Sequence, residues 1–281
     1  MYTRPLTLDE ALSALAFHGG QILAGGTDIF PALADRPLRD SIVDISGIRE
    51  LRGIWVDDAY FRIGGLTTWT DLLSTQLPRC FGGLKAAARE IGSVQIQNRG
   101  TVAGNLCNAS PAADSVPPLL TLDAEVELVS TEGSRRLPLA EFLVGNRRTL
   151  RRPGEILTQV LVPRGIEEAA SAFLKLGARR YLVISIAMVA AVVKADSNGR
   201  VLEARVSVGS CSAVAQRLKK LEQALVGVLA VPGWSSQITT NDLRNLSPIS
   251  DVRATAGYRK EAAAELVRRA LESCVGSHLN G

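Results

Sequence analysis

The order of elements in this chain predicts an α+β fold. Three observations carry that reading. Apolar residues at helical spacing open the chain, a strand-rich stretch occupies residues 171–210, and a long amphipathic segment follows it. Helices and strands are mixed, without the regular strand–helix–strand alternation of a parallel α/β sheet.

In the first segment, Leu8, Leu12, Leu15 and Ala16 share one helical face, and Gly19 and Gly20 stop the helix. A short apolar strand over 21–24 and a Gly-Gly turn come next. Residues 42–45 and 61–63 read as further strands. Helices are expected over 68–74, with Thr67 or Thr68 as cap, and over 84–91. A helical turn over 117–122 leads into a strand at 124–129, and another strand spans 156–162 up to Pro163. Beyond residue 170 the pattern changes. Strands at 189–195 and 201–208 flank Asp196-Ser-Asn-Gly199, which is hairpin chemistry. Helices then follow over 218–225 and 251–275, the second with Ala254, Tyr258, Ala262, Leu266, Ala270 and Cys274 on one stripe.

Composition narrows the function. The 281 residues are 46% apolar, enough for at least one sizeable core and for one to three domains. The longest apolar run, 182–193, is too short for the roughly 20 residues that span a bilayer, and is read as a buried strand. The opening MYTRPLTLDE has no apolar stretch, so a signal peptide is not expected and the expected compartment is the cytoplasm. A net charge of +4 with only 5% aromatics lacks the dense basic stripe of a nucleic-acid groove. Short clusters such as Arg147–Arg152 read as solvated faces. Cys80, Cys107, Cys211 and Cys274 form no C-x-x-C pair, and His18 and His278 are the only histidines. A metal site, an iron–sulfur cluster held by this chain alone, or a Ser/His/Asp triad is therefore not expected.

Two segments carry specific chemistry. The first is Leu23-Ala-Gly-Gly-Thr-Asp-Ile-Phe-Pro31. Gly25 and Gly26 permit positive φ and close approach of a ligand, and successive N–H groups there can form an anion-binding nest. A following helix N-terminus would add partial positive charge. Taken alone, the segment reads equally well as an ordinary strand–turn–helix connection. The second runs from Asn98 to Asp114, polar and rich in small residues between apolar elements. Its Thr101, Asn105, Asn108, Ser110 and Asp114 suit a pyrophosphate, a ribitol and a ribose. A self-satisfied loop with Asx turns is the less favoured alternative. Neither segment is a G-x-G-x-x-G or a P-loop.

Together these segments resemble the FAD subunits, or FAD domains, of the xanthine dehydrogenase and carbon monoxide dehydrogenase family. AGGTD at 24–28 is similar to the family's first flavin loop. RGTVAGNLCNASPAADSVPPLL at 99–120 is similar to its longer signature, T-x-G-G-N-x-x-x-A-S-P-x-x-D, with Ala103 in place of the first glycine of the pair. Phe173-Leu-Lys-Leu-Gly-Ala-Arg-Arg180 resembles the linker strand. Asp251-Val-Arg-Ala-Thr-Ala-Gly-Tyr-Arg259 resembles the start of the C-terminal helix.

The resemblance implies a two-subdomain FAD-binding fold of the vanillyl-alcohol oxidase (PCMH) type over 1–55 and 56–170, then a C-terminal α+β domain over 171–281. It implies that Leu23, Ala24, Gly25, Gly26, Thr27, Asp28 and Ile29 wrap the pyrophosphate of a non-covalent FAD. Thr101, Gly104, Asn105, Cys107, Asn108, Ser110 and Asp114 would line its other side, with Leu157 and Lys175 near the isoalloxazine or its neighbouring phosphate and carbonyl groups. A lysine at the flavin N1/O2 edge favours the reduced anionic ring; without the resemblance Lys175 reads as a strand-end surface lysine. No general acid, base or nucleophile is evident, which suits an electron relay. The family's molybdenum cofactor and 2Fe–2S clusters would reside only in a large and a small partner subunit, in a heterotrimer that dimerises. Electrons would leave to NAD, oxygen or another acceptor, although the acidic pair that often follows the linker arginines in NAD-reducing members is absent here. Two other functions remain open at this point, a self-contained flavin oxidase and a non-catalytic flavin carrier. The absence of histidine from both loops weighs against a covalently linked oxidase flavin.

Overall fold

Thr7 starts the first helix. Its hydroxyl accepts from the Glu10 N–H and the Glu10 carboxylate reaches back to the Thr7 N–H, so two orphan donors are satisfied at once. The helix runs Leu8–His18 and ends at Gly19, φ 60°. In the computed structural model, which describes residues 1–33 and 41–276, Ala11, Leu12 and Leu15 bury against Val43, Ile45, Ile48 and Leu51. His278 lies outside the described residues. Tyr2–Thr3, Gln21–Leu23 and Ile42–Asp44 form a small parallel sheet with Ile42–Asp44 in the centre.

A second sheet is antiparallel, in the order Ile54–Val56, Tyr60–Gly64, Ile156–Pro163, Glu125–Ser130, Gly133–Pro138. These two sheets belong to one compact unit made of Met1–Thr75, Ser93–Ala109 and Ala124–Pro163. The other unit comprises Gln76–Gly92, Ser110–Asp123 and the chain from Arg164 onwards.

The second unit is built on the antiparallel order Ala170–Leu176, Ala187–Ala195, Val201–Gly209, Gln216–Arg217. The expected hairpin is present. Asp196 accepts from the N–H groups of Asn198 and Arg200, and Gly199 takes φ 77°. Strand Ala187–Ala195 is covered on both faces. Ala187, Val189, Ala191 and Val193 pack with Ala263, Val267, Ala270 and Cys274 of the helix Ala256–Gly276. Met188 and Ala190 pack with Ala87 and Phe173. Two covered faces explain the uninterrupted apolar sequence.

Three expectations change. The strand expected over 182–193 begins only at Ala187, because Leu182 takes φ 50° and Arg179 holds the Tyr181 and Leu182 carbonyls in a local turn; Leu182 and Ile184 are exposed. The long helix begins at Ala256, because Asp251 accepts from the Arg253 and Ala254 N–H groups in a local turn. Its buried stripe runs through Arg259, Ala263, Val267, Ala270 and Cys274, while Tyr258 is exposed. A strict four-residue spacing drifts around a helix of 3.6 residues per turn. The segment Asn98–Asp114, expected as a loop, contains the helix Val102–Asn108. Thr101 caps it and Ala109, φ 47°, closes it.

Candidate functional site

The first glycine segment leaves the carboxyl end of strand Gln21–Leu23, where Leu23 pairs with Asp44. Gly25 and Gly26 have different reasons to be glycine. A Cβ on Gly25 would lie 1.9 Å from the Arg99 carbonyl oxygen, so Gly25 lets the two signature segments pack backbone to backbone. Gly26 is buried and takes φ 74°. The N–H groups of Gly25, Gly26, Thr27 and Asp28 have no acceptor among the described residues. Gly26 is buried and Gly25 and Thr27 are half-buried, whereas Asp28 is exposed; buried N–H groups normally find a partner, so the first three are open to an acceptor that the loop itself does not supply. The helix that follows, Ile29–Leu33, has five residues, so the free N–H groups rather than a helix dipole carry the attraction for an anion.

Beside this loop lies a crevice of about 720 Å³. It opens at the carboxyl ends of all three parallel strands, through Arg4, Ala24 and Asp44, which is where α/β sheets receive ligands. Gly25, Arg49, Arg52, Arg99 and Thr101 also line it. Arg52 is paired with Asp71 and Arg4 with Asp44. Arg49 and Arg99 have no ion pair among the described residues. The crevice is therefore electropositive and suits a phosphate-bearing ligand.

In the second segment, Thr101 Oγ1 accepts from the Gly104 N–H at 3.0 Å, and a side chain on Gly104 would crowd that hydroxyl. Asn108 donates to Asp28 Oδ1 at 2.8 Å and accepts from Arg147 Nη1 at 2.7 Å. Asp28 and Asn108, expected on opposite sides of a ligand, are thus joined directly. Burial raises the Asp28 carboxyl above its usual range, with Arg147 pulling the other way. Asn105 is half-buried. Cys107 is half-buried too, and burial pushes its thiol up to about 11, so it is a neutral thiol at physiological pH. Leu157 is buried in strand Ile156–Pro163, and its carbonyl lies against Gly65, where a Cβ would come within 2.4 Å.

Ser110, Asp114 and Lys175 belong to the second unit. Ser110 Oγ accepts from the Ala112 N–H at 3.2 Å, a local turn. Lys175 Nζ donates to Asp114 Oδ2 at 2.6 Å, and Ser185 Oγ donates to Asp114 Oδ1 at 2.6 Å. Lys175 is therefore a paired, buried cation rather than a surface lysine. Burial raises the Asp114 carboxyl, opposed by Lys175 and Ser185.

Residues 1–165 match the family described as the FAD binding domain in molybdopterin dehydrogenase. The chain belongs to this flavoprotein family. Residues 172–274 of the flavin subunit match the CO dehydrogenase flavoprotein C-terminal domain. It is 36% identical over 231 residues to the nicotinate dehydrogenase FAD-subunit of Eubacterium barkeri, covering 79% of this chain and 78% of that one. It is 32% identical over 281 residues to the xanthine dehydrogenase FAD-binding subunit of Escherichia coli O157:H7, covering 98% and 96%. Among solved structures, carbon monoxide dehydrogenase from Hydrogenophaga pseudoflava superposes with a TM-score of 0.89 at 28% identity, covering 98% of this chain and 96% of that one. The protein is thus an FAD-binding oxidoreductase subunit of the molybdenum hydroxylases, and a self-contained flavin oxidase is not favoured. Among the described residues no helix is long and apolar enough to cross a membrane.

Sequence reasoning missed Arg147, Ser185 and the crevice arginines of the flavin subunit. Arg147 sat in a cluster read as a solvated face, and Ser185 in a run read as strand. Neither has a local signature, because each meets its partner across a long sequence separation.

Proposed function

We propose that the N–H groups of Gly25, Gly26, Thr27 and Asp28 receive the pyrophosphate of a non-covalently held FAD, and that the adjoining crevice takes its phosphate-bearing half. The run of N–H groups without an internal acceptor, beside an electropositive crevice, is the observation that carries this reading. Leu23, Ala24 and Ile29 flank the nest. Thr101, Gly104, Asn105, Cys107, Asn108, Ser110 and Asp114 form the second wall, several of them by holding the backbone in shape. Leu157 and Lys175 serve the isoalloxazine end. FAD, when bound, exchanges single electrons with one partner and electron pairs with another. The chain's own part is to bind and orient the cofactor and to set the charge around it.

The relatives include proteins named carbon monoxide dehydrogenase medium chain. By that analogy the subunit works in a complex with a small and a large partner. We assign the 2Fe–2S clusters to the small partner and the molybdenum cofactor to the large one, in a dimerised heterotrimer of the cytoplasm. NAD, oxygen or another carrier accepts the electrons. The flavin-binding region divides near residue 55 and gives way to the C-terminal domain near residue 170.

Titration of the full-length chain with FAD, followed by flavin fluorescence, tests the nest. Gly26→Val blocks the φ 74° conformation and is expected to weaken binding at least tenfold. Unchanged affinity would place the pyrophosphate elsewhere.

A further inference from the structure

The motif Asp251–Arg259 has no role in the site described above, yet it ends in a buried charge. Arg259 is 3% exposed, on the first turn of helix Ala256–Gly276. Its Nη1 donates to the Ile186 carbonyl at 2.6 Å and to the Ser210 carbonyl at 3.2 Å, and its Nη2 donates to Asp251 Oδ1 at 2.7 Å. Both carbonyls lead to the second flavin signature. Ile186 follows Ser185, whose hydroxyl holds Asp114. Ser210, φ 61°, donates its N–H to the Pro111 carbonyl at 3.1 Å. One guanidinium therefore grips the two chain segments that fix Pro111 and Asp114.

We propose that Arg259 is a positioning residue for the 110–114 arm of the flavin site, acting through Ile186–Ser185–Asp114 and Ser210–Pro111. The proposal rests on the reading that this arm serves FAD. A planar fork suits the task, because one Nη reaches two carbonyls while the other is anchored by Asp251; a lysine ammonium lacks that fixed geometry. Asp251 in turn is held by the Arg253 and Ala254 N–H groups.

The test compares Arg259→Met, Arg259→Lys and a control, Glu272→Ala. Glu272 lies on the same helix and accepts from Gly233 and Ser235, with no hydrogen bond to 110–114. Hydrogen exchange is read over residues 109–116, and FAD affinity by titration of the full chain. Arg259→Met is expected to speed exchange there about tenfold and to weaken FAD by about as much, with Arg259→Lys intermediate and Glu272→Ala unchanged in both. Equal acceleration in Arg259→Met and Glu272→Ala would overturn the proposal, as would faster exchange with unaltered FAD affinity. If Arg259→Met does not fold, Arg259→Lys against Glu272→Ala decides by the same readouts. Wild-type protein that takes up no FAD, even with its partners, would overturn the flavin reading itself, while the exchange data still judge whether Arg259 holds the segment.

Discussion

Lys175 Nζ stands 2.6 Å from Asp114 Oδ2, and the two side chains are 8% and 6% exposed. Asp114 accepts on its other oxygen from Ser185. The pair is close to neutral as a unit, so Lys175 offers its surroundings an oriented dipole rather than a free charge. Removing one partner strands the other in a poorly solvated place. Asp114→Asn or Lys175→Met is expected to cost about 3–5 kcal/mol, and the double variant less than the sum of the two. Urea denaturation of the three proteins measures this. Additive losses would mean that the contact carries no coupling.

Gly25 faces the Arg99 carbonyl with no room for a Cβ, whereas Gly154 has φ 78° but nothing within 4 Å. Gly25→Ala is expected to cost about 2–3 kcal/mol through overpacking, and Gly154→Ala about 1 kcal/mol through backbone strain. Equal denaturation midpoints would contradict the close packing of the two signatures.

Much of this was legible in the sequence, and what was not has a common cause. The capping box at Thr7, the Asp196–Gly199 hairpin and the buried apolar strand are local or periodic signals. Both glycine segments stood out in the sequence as candidate sites, the first only together with the family resemblance. The separate duties of Gly25 and Gly26 were not, because the Arg99 backbone that makes Gly25 obligatory lies far along the chain. The helix Val102–Asn108 was hidden for a related reason. Thr101, Gly104 and Asn108 look like ligand groups, yet Thr101 and Asn108 spend their polar atoms on a cap and on Asp28 and Arg147. Sequence shows which atoms a residue brings, not which internal partner claims them.

Asp251 carries a pH dependence of known sign. Hydrogen bonds from the Arg253 N–H, from Arg259 and from the Ala254 N–H hold its carboxyl down at about 2. A carboxyl lower in the folded than in the unfolded chain stabilises the fold above the ordinary aspartate range, and that contribution disappears as pH falls from about 4 to 2. The melting temperature of Asp251→Asn is expected to lie below wild type at pH 6 and to converge on it toward pH 2. A constant gap across that range would show that Asp251 acts only through packing.

All four thiols are held protonated by burial, Cys80 and Cys274 up to about 12 and Cys107 and Cys211 up to about 11. At pH 8 the thiolate fraction is small, so iodoacetamide is expected to leave the folded chain nearly unlabelled and to label all four cysteines in guanidinium. Rapid labelling of Cys107 in the folded protein would refute its assignment as an inert wall residue.

The Gly25–Asp28 nest is proposed to hold FAD without a covalent bond. The most direct test is the visible spectrum of the full chain, alone and with co-expressed partners, before and after acid precipitation. The expected result is a flavin spectrum that moves wholly to the supernatant, with a mass equal to FAD, and that is lost or weakened in Gly26→Val. Flavin that stays with the precipitate would mean a covalent link, and none in either preparation after added FAD would mean that the nest holds no flavin.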